Sequence, residues 1–459
     1  MVALRSLNHW TGAPGALVQW KPTAASQAAA LAAPAEAIPP SRQQQQHLRA
    51  YRRSEAAGLP MARLITLVWD EPGQCDIDAM TEAFTAHLRR HDTYASHLSV
   101  DHLGRTSRHQ IRDATAIALE PVAAGVVDAD GWRRAVEQTP GPLDWDCFSF
   151  GVIQRADHFT VFAAVDHVHT DIFLVRLLFD EVRRSYMAAV AGQPSPPFSA
   201  ATSYLDYCRR QEAALAGLTV DSPEIRAWLD VLAHTVPSLP TALREDPYVV
   251  SDIVTRPLLD GSASRRFELA CAAAGARPLG GFLAVAAQAH AMLTGATQFV
   301  AMAPFSTRRA DEGSTNGWFS GVTPVVLRDT ARSFSELART AQSACAERSA
   351  LVHVPIERVL EVIPGALPAA RAGVPMLSYL DSQLPPMDST VMREWRDHDG
   401  RLFLNRGAAH QIGLWITRTD EGTTLSVAAP EDAETQSALD SFVDAMTDIA
   451  ASVATTAAA

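Results

Sequence analysis

Apolar and polar positions along the chain switch between a period near two and one near 3.6, and the switches predict mixed secondary structure. Residues 63–70 (RLITLVWD) form an almost unbroken apolar run closed by Glu71-Pro72-Gly73, which predicts a strand and a turn. Over residues 78–90 the positions Met80, Ala83, Phe84, His87 and Leu88 recur at helical spacing. Residues 148–154 and 159–165 predict two strands joined across Arg155-Ala156-Asp157 as a hairpin. A helix is expected over 172–190, because Val175, Leu178, Phe179, Val182 and Tyr186 share a face before Gly192 and Pro194 stop it. The Ala/Pro-rich stretch 24–40 is compatible with a loop or with a short helix ended by Pro39-Pro40.

The Pro/Ser-rich run 192–201 (GQPSPPFSAA) is the best linker and divides the chain into lobes over 1–195 and 202–459. Beyond it, helices are expected at 264–274 and 282–293, closed by Gly275 and Gly295, followed by a strand at 298–304. A strand at 322–327, helices at 334–350 and 356–362, and a strand at 375–380 come next. Residues 410–417 and 423–429 read as a hairpin across Asp420-Glu421-Gly422, and a helix over 434–451 ends the chain. Both lobes mix strands and helices without regular alternation, which predicts an α+β class rather than a doubly wound sheet.

At 459 residues the chain exceeds the size of a single hydrophobic core, in keeping with two lobes. Its 47% hydrophobic and 20% charged composition is that of an ordinary folded protein. No window holds 18 uninterrupted apolar residues, and the first thirty lack the form of a secretory signal, so the expected location is cytoplasmic. A net charge of −12 has the wrong sign for a nucleic-acid binder. Lys21 is the only lysine, and its Gln-Trp-Lys-Pro-Thr setting supports neither a phosphate-binding loop nor a pyridoxal Schiff base. The 5 cysteines are scattered, which predicts free thiols rather than a zinc knuckle or a disulfide framework.

Chemistry concentrates in Asp166-His167-Val168-His169-Thr170-Asp171, which packs two imidazoles and two carboxylates into a strand-to-helix junction. Three readings of it stand side by side. Asp171 is a helix cap and the histidines are satisfied polar groups. Alternatively, His-x-His-x-Asp is the start of a metal site, similar to the first ligand run of the metallo-β-lactamase fold, which would make the chain a metallohydrolase. In the third reading His167 and Asp171 form an H-x-x-x-D pair.

The third reading draws on a resemblance. The run resembles the HHxxxDG signature of the condensation-domain and chloramphenicol-acetyltransferase-like superfamily, with Asp166 for the first His and Ile172 for the Gly. In family order, His87-Leu-Arg-Arg-His91-Asp-Thr-Tyr94, the segment from Gly295 to Arg308-Arg309, Gly317-Trp-Phe-Ser-Gly-Val-Thr-Pro324 and Val354-Pro-Ile-Glu-Arg-Val-Leu360 resemble further family segments. The DFGWG motif has no counterpart. The match is closer still to the mycobacterial polyketide-associated acyltransferases of trehalose lipid assembly, whose Asp-His-x-His-x-Asp form accommodates both departures. Leu143-Asp-Trp-Asp-Cys147-Phe-Ser-Phe-Gly, Thr219-Val-Asp-Ser-Pro, Gly317-Trp-Phe and His410-Gln are similar to segments of that group.

The resemblance implies two acetyltransferase-like lobes forming a pseudo-dimer, with an interlobe active-site channel. It implies transfer of a long acyl chain from an acyl-CoA or a carrier-bound polyketide to a hydroxyl of trehalose or sulfated trehalose, without a metal or organic cofactor. His167 would be the general base, since an imidazole titrating near neutrality suits that step. Asp171 would organise the loop by pairing across the lobes with an arginine of the second lobe, Arg308 being preferred to Arg309, and Asp166 and His169 would have structural or site-organising roles. Peripheral association with lipid-export machinery, at the cytoplasmic face of the membrane, completes the implied picture. A non-catalytic carrier-docking module is the remaining alternative.

Overall fold

The computed structural model describes residues 3–232, 239, 249–364, 374–384, 387–409 and 412–456. The expected His410-Gln segment and the start of the strand predicted at 410 lie outside these residues.

Two compact units emerge, and neither is one continuous stretch of chain. The first comprises Met1–Ala214 together with Arg308–Phe319 and Leu384–Asn405; the second comprises Leu215–Thr307, Ser320–Gln383 and Arg406–Ala459. The division therefore departs from a single boundary at 195–202. Residues 196–214 stay with the first unit, and two later segments return to it.

The first unit is built on a seven-stranded sheet ordered Leu4–Ser6, Arg401–Leu404, Leu64–Pro72, His158–Asp166, Phe148–Gln154, Gly15–Pro22, Leu119–Val127. The predicted hairpin is its centre. Phe148–Gln154 and His158–Asp166 pair antiparallel, with Phe148 opposite Val165, and every residue from Phe159 to Asp166 is buried. Strands covered on both faces read as continuous apolar runs, which is why these two were visible in sequence. Arg401–Leu404 inserts between Leu4–Ser6 and Leu64–Pro72, parallel to the former and antiparallel to the latter. The strand Leu64–Pro72 runs through the expected turn at Glu71-Pro72 because both residues still pair across to the hairpin. Helices Ile77–Arg90 and Leu174–Val190 carry the expected apolar faces, and the stretch 24–40 resolves into a short helix, Ala24–Leu31, that ends well before Pro39. A small sheet of Ala35–Glu36, Thr106–Gln110 and Ser96–Val100 lies apart from the main one.

The second unit has its own seven-stranded sheet, ordered Ser320–Arg328, Gln298–Ser306, Met376–Asp381, Gly413–Thr419, Gly422–Pro430, Val249–Asp260, Gly407–Ala409. Its core joins Phe282, Phe299, Leu327, Leu414, Leu425 and Phe442. The helices Gly261–Ala273 and Pro278–Thr294 end at Gly275 and Gly295, whose φ of 76° and 70° are left-handed, as helix-terminating glycines require. Among the described residues no single helix is long and apolar enough to cross a membrane. That pair, bent by 94°, has the length and composition to do so, but the second helix is largely buried.

Candidate active site

The central strand His158–Asp166 ends in a single 3-10 turn, His167–His169, before the helix Leu174–Val190 begins. Asp166 caps that turn, its carboxylate accepting the Val168 N–H at 2.9 Å. The same fully buried carboxylate accepts from Arg63 Nη1 at 2.8 Å and from His47 Nε2 at 2.7 Å. Burial would raise its pKa, but the charge and hydrogen bond of His47, the Arg63 guanidinium and the Val168 N–H outweigh that and hold it at about 2. A histidine at this position would leave Arg63 without its counter-charge. Asp166 thus belongs to an ion-paired support under the turn.

His167 itself is partly exposed, and its main-chain N–H is anchored on the Arg63 carbonyl at 2.7 Å. Its Nδ1 is fully enclosed without a hydrogen-bond partner, while Nε2 is not enclosed and has no partner among the described residues. Burial, reinforced by the neighbouring charge of His47, lowers its pKa to about 4 against the pull of Asp171 and Asp166. The expectation of titration near neutrality is therefore corrected. The imidazole is held neutral, in the proton-accepting form, across the physiological range. His169 is buried, lies 3.2 Å from Thr93 Oγ1 through Nδ1, and is likewise pushed down by burial to about 4.

Asp171 makes no hydrogen bond with the His167 ring. Its two oxygens lie 3.0 Å from Arg308 Nη2, and they accept the main-chain N–H groups of Phe173 and Phe319, also at 3.0 Å. Asp171 does satisfy a main-chain donor at the helix entrance, so the capping reading holds in part, but most of its partners come from residues 308–319. The Arg308 guanidinium also donates to the carbonyls of Glu312 and Thr315 and is sandwiched between the rings of Phe173 and Phe319, at 4.6 and 4.3 Å. Arg309 is exposed, and its main-chain N–H bonds to Glu312. The expected pairing across the lobes is corrected: the segment carrying Arg308 returns to the first unit, so the pair forms within that unit although 137 positions separate its partners.

That same segment delivers groups sequence reasoning passed over. Trp318 lays its indole against His167, with ring centroids 3.9 Å apart, and meets His47 edge-on at 5.5 Å. A Cβ on Gly317 would collide with the Tyr204 ring, so only glycine allows this approach. Asn316 accepts from Thr170 Oγ1 at 2.7 Å and donates to Tyr94 Oη at 2.9 Å and to the His169 carbonyl at 3.2 Å. Its main-chain N–H donates to His91 Nδ1 at 3.2 Å, so the proton on His91 lies on Nε2, 2.9 Å from Glu181. Glu181 also holds His87 and Arg90. Among the described residues His87, His91 and Glu181 are the three metal-type ligands that converge, not His167 and His169. Their ligand atoms are committed to one another and to Arg90 and Asn316, a closed hydrogen-bond network.

His47 and Arg63 had no signal in the apolar pattern. His47 lies on a helix, Arg42–Ala56, whose sequence RQQQQHLRAYRRSEA is polar almost throughout. The available clue was the capping box Ser41-x-x-Gln44 directly after Pro39-Pro40, which the structure forms in full.

A neutral imidazole with one open nitrogen, at the end of a central strand in an α+β protein, is chemically able to accept a proton from a bound group. The condensation-domain family model matches residues 49–362, and the chain belongs to that family and is an acyltransferase. It is similar to acyltransferase PapA3 of Mycobacterium tuberculosis, at 36% identity over 94% of this chain and 92% of the relative. Trehalose-2-sulfate acyltransferase PapA2 of Mycobacterium tuberculosis is 37% identical over 98% of this chain and 97% of its own. The solved PapA2 acyl transferase superposes with a TM-score of 0.92 at 35% identity, covering 98% of this chain and 99% of that one. The first condensation domain of the CDA synthetase, with a TM-score of 0.69 and 17% identity over 92% of this chain and 97% of that one, shares the fold.

Proposed function

We propose that this enzyme moves a long acyl chain from a CoA or carrier-protein thioester to a hydroxyl of trehalose or of sulfated trehalose, with His167 as general base. His167 Nε2 takes the proton of the acceptor hydroxyl as its oxygen attacks the thioester carbonyl. The tetrahedral adduct then expels the thiolate, which recovers the proton from His167, so one C–O bond forms and one C–S bond breaks. The observation that carries this reading is the state of His167: neutral, anchored through its main chain, and open only at Nε2. Asp171 and Arg308 act as positioning groups that fix the turn.

The choice of acceptor follows the relatives. One is named trehalose-2-sulfate acyltransferase, and another, from Mycobacterium tuberculosis and 37% identical over 99% of this chain and 89% of its own, is named 2'-acyl-2-O-sulfo-trehalose (hydroxy)phthioceranyltransferase PapA1. A CoA or carrier donor would put the reaction in the cytoplasm, and product handling by lipid-export machinery at the membrane face would follow it.

Purified enzyme given palmitoyl-CoA with trehalose, trehalose 2-sulfate and other disaccharides should yield an acylated trehalose by mass spectrometry. Palmitoyl-CoA should outcompete acetyl-CoA, since each buried methylene contributes about 0.8 kcal/mol. A preference for acetyl-CoA, or acylation of an amine with both trehaloses untouched, would overturn the lipid-assembly reading.

A further inference from the structure

We infer that His47 is a second acceptor-binding group, which takes the hydroxyl adjacent to the reacting one, so that the enzyme recognises its acceptor as a vicinal diol. The inference rests on His167 being the base for a hydroxyl acceptor and adds what selects among hydroxyls.

The helix Arg42–Ala56 is pinned to the 3-10 turn at two points, through Gln44 Nε2 to the Val168 carbonyl at 2.8 Å and through His47 Nε2 to Asp166 at 2.7 Å. Asp166 also pairs with Arg63, and an ionised carboxylate only accepts, so His47 carries its proton on Nε2. That leaves Nδ1 facing away from the support, where a hydroxyl, which both donates and accepts, can pair with it whether or not it carries a proton. Nδ1 has no hydrogen-bond partner among the described residues, and it is not an enclosed atom although the residue is only 6% exposed. His167 Nε2 is in the same condition.

Two histidines with unused, reachable nitrogens therefore stand side by side, their ring centroids 6.4 Å apart. Hydrogen bonds of about 2.8 Å from each ring leave room between them for two oxygens on neighbouring carbons of one molecule. Trp318 touches both rings and is itself partly exposed, which adds an aromatic face beside the pair. Indole faces suit the C–H surface of a polyol. Support of Asp166 does not account for the open nitrogen, because Arg63 and the Val168 N–H already hold that carboxylate.

The test compares kcat/KM of the full-length enzyme on matched acceptors with palmitoyl-CoA as donor: trehalose against its monodeoxy analogues, and 1,2-octanediol against 1-octanol. His47→Gln keeps an N–H toward Asp166 at the Nε2 position and removes the hydrogen-bonding group at the Nδ1 position, whereas His47→Asn does the reverse. Wild type should favour the diol member of a pair by roughly tenfold, the worth of one hydrogen bond at a polar site. In His47→Gln that preference should fall to within about twofold, while His47→Asn should retain part of it despite a lower melting temperature. If His47→Gln preserves the wild-type ratio, or lowers both members of each pair equally, His47 merely supports the turn and the inference is overturned. Should wild type reject every trehalose yet favour 1,2-octanediol, with the preference lost in His47→Gln, the sugar reading falls and this one stands. If neither sugars nor simple alcohols are acylated, both fall.

Discussion

Burial sets the range over which His167, the proposed base, can accept a proton. An imidazole in water titrates near 6.5, but enclosure and the adjacent charge of His47 bring this one to about 4. Such a base is weaker than one near neutrality, yet it is in its accepting form at any pH well above 4. Protonation removes that form, so kcat/KM for the free enzyme should be flat above pH 5 and fall as the pH drops through about 4. A bell centred near neutrality in the pH profile would contradict this. His167→Ala should lower turnover roughly 100-fold or more with the fold intact, as measured by steady-state assay beside a thermal melt. His167 and Asp171 were legible in sequence because they fall on one short contiguous run. His47 and Asn316 were not, since they reach the site from elements remote in sequence, and a lone histidine in a polar stretch carries no periodic signal.

The junction Asp166–Asp171 and the returning segment Arg308–Phe319 are joined by the buried Asp171–Arg308 ion pair, beside the hydrogen bonds of Asn316 and of the Phe319 N–H. Both side chains are almost fully buried, at 4% and 7% exposure. Removing one partner strands the other charge in a low-dielectric setting, which typically costs about 3 to 5 kcal/mol. Asp171→Ala should thus lower the denaturation midpoint by that margin and abolish activity together, because Trp318 rides on the same segment. Loss of activity at unchanged stability would instead give Asp171 a direct chemical role. At this scale the sequence reveals buried elements best. The central hairpin and the helix Leu174–Val190 show clear patterns, whereas the edge strand Leu119–Val127 is exposed along most of its length and has no apolar alternation to find.

For the molecule as a whole, four histidines, the buried His87, His169 and His290 and the partly exposed His167, have lowered pKa values, in every case mainly through loss of solvent. Each therefore binds a proton more readily when unfolded. Their contribution to stability is complete above about pH 6.5 and is lost as pH falls below it, down to about 4 for His167 and His169. His290 has neither ring nitrogen hydrogen-bonded, so His290→Leu should raise the denaturant midpoint more at pH 5 than at pH 8. Equal gains at both values would show that its protonation plays no part. The linker at 192–201 suggested a chain divisible there, but the first unit also needs Arg401–Leu404, the second strand of its sheet, and Arg308 beside the junction that carries Asp171. A fragment of residues 1–202 should accordingly show no cooperative thermal transition by circular dichroism. The sequence could not display this, because a short strand that completes a distant sheet looks the same as one that pairs locally.

The insertion of Arg401–Leu404 between Leu4–Ser6 and Leu64–Pro72 also fixes a schedule. Synthesis proceeds from the N-terminus at about 5–20 residues per second. The first two strands of that trio therefore leave the ribosome long before the one that joins them, and they wait with open edges while more than 300 further residues are made. A nascent chain in that state is a template for strand exchange with its neighbours on the same message. Its yield in a cell should thus depend on chaperone supply and translation speed more steeply than the stability of the finished enzyme would suggest.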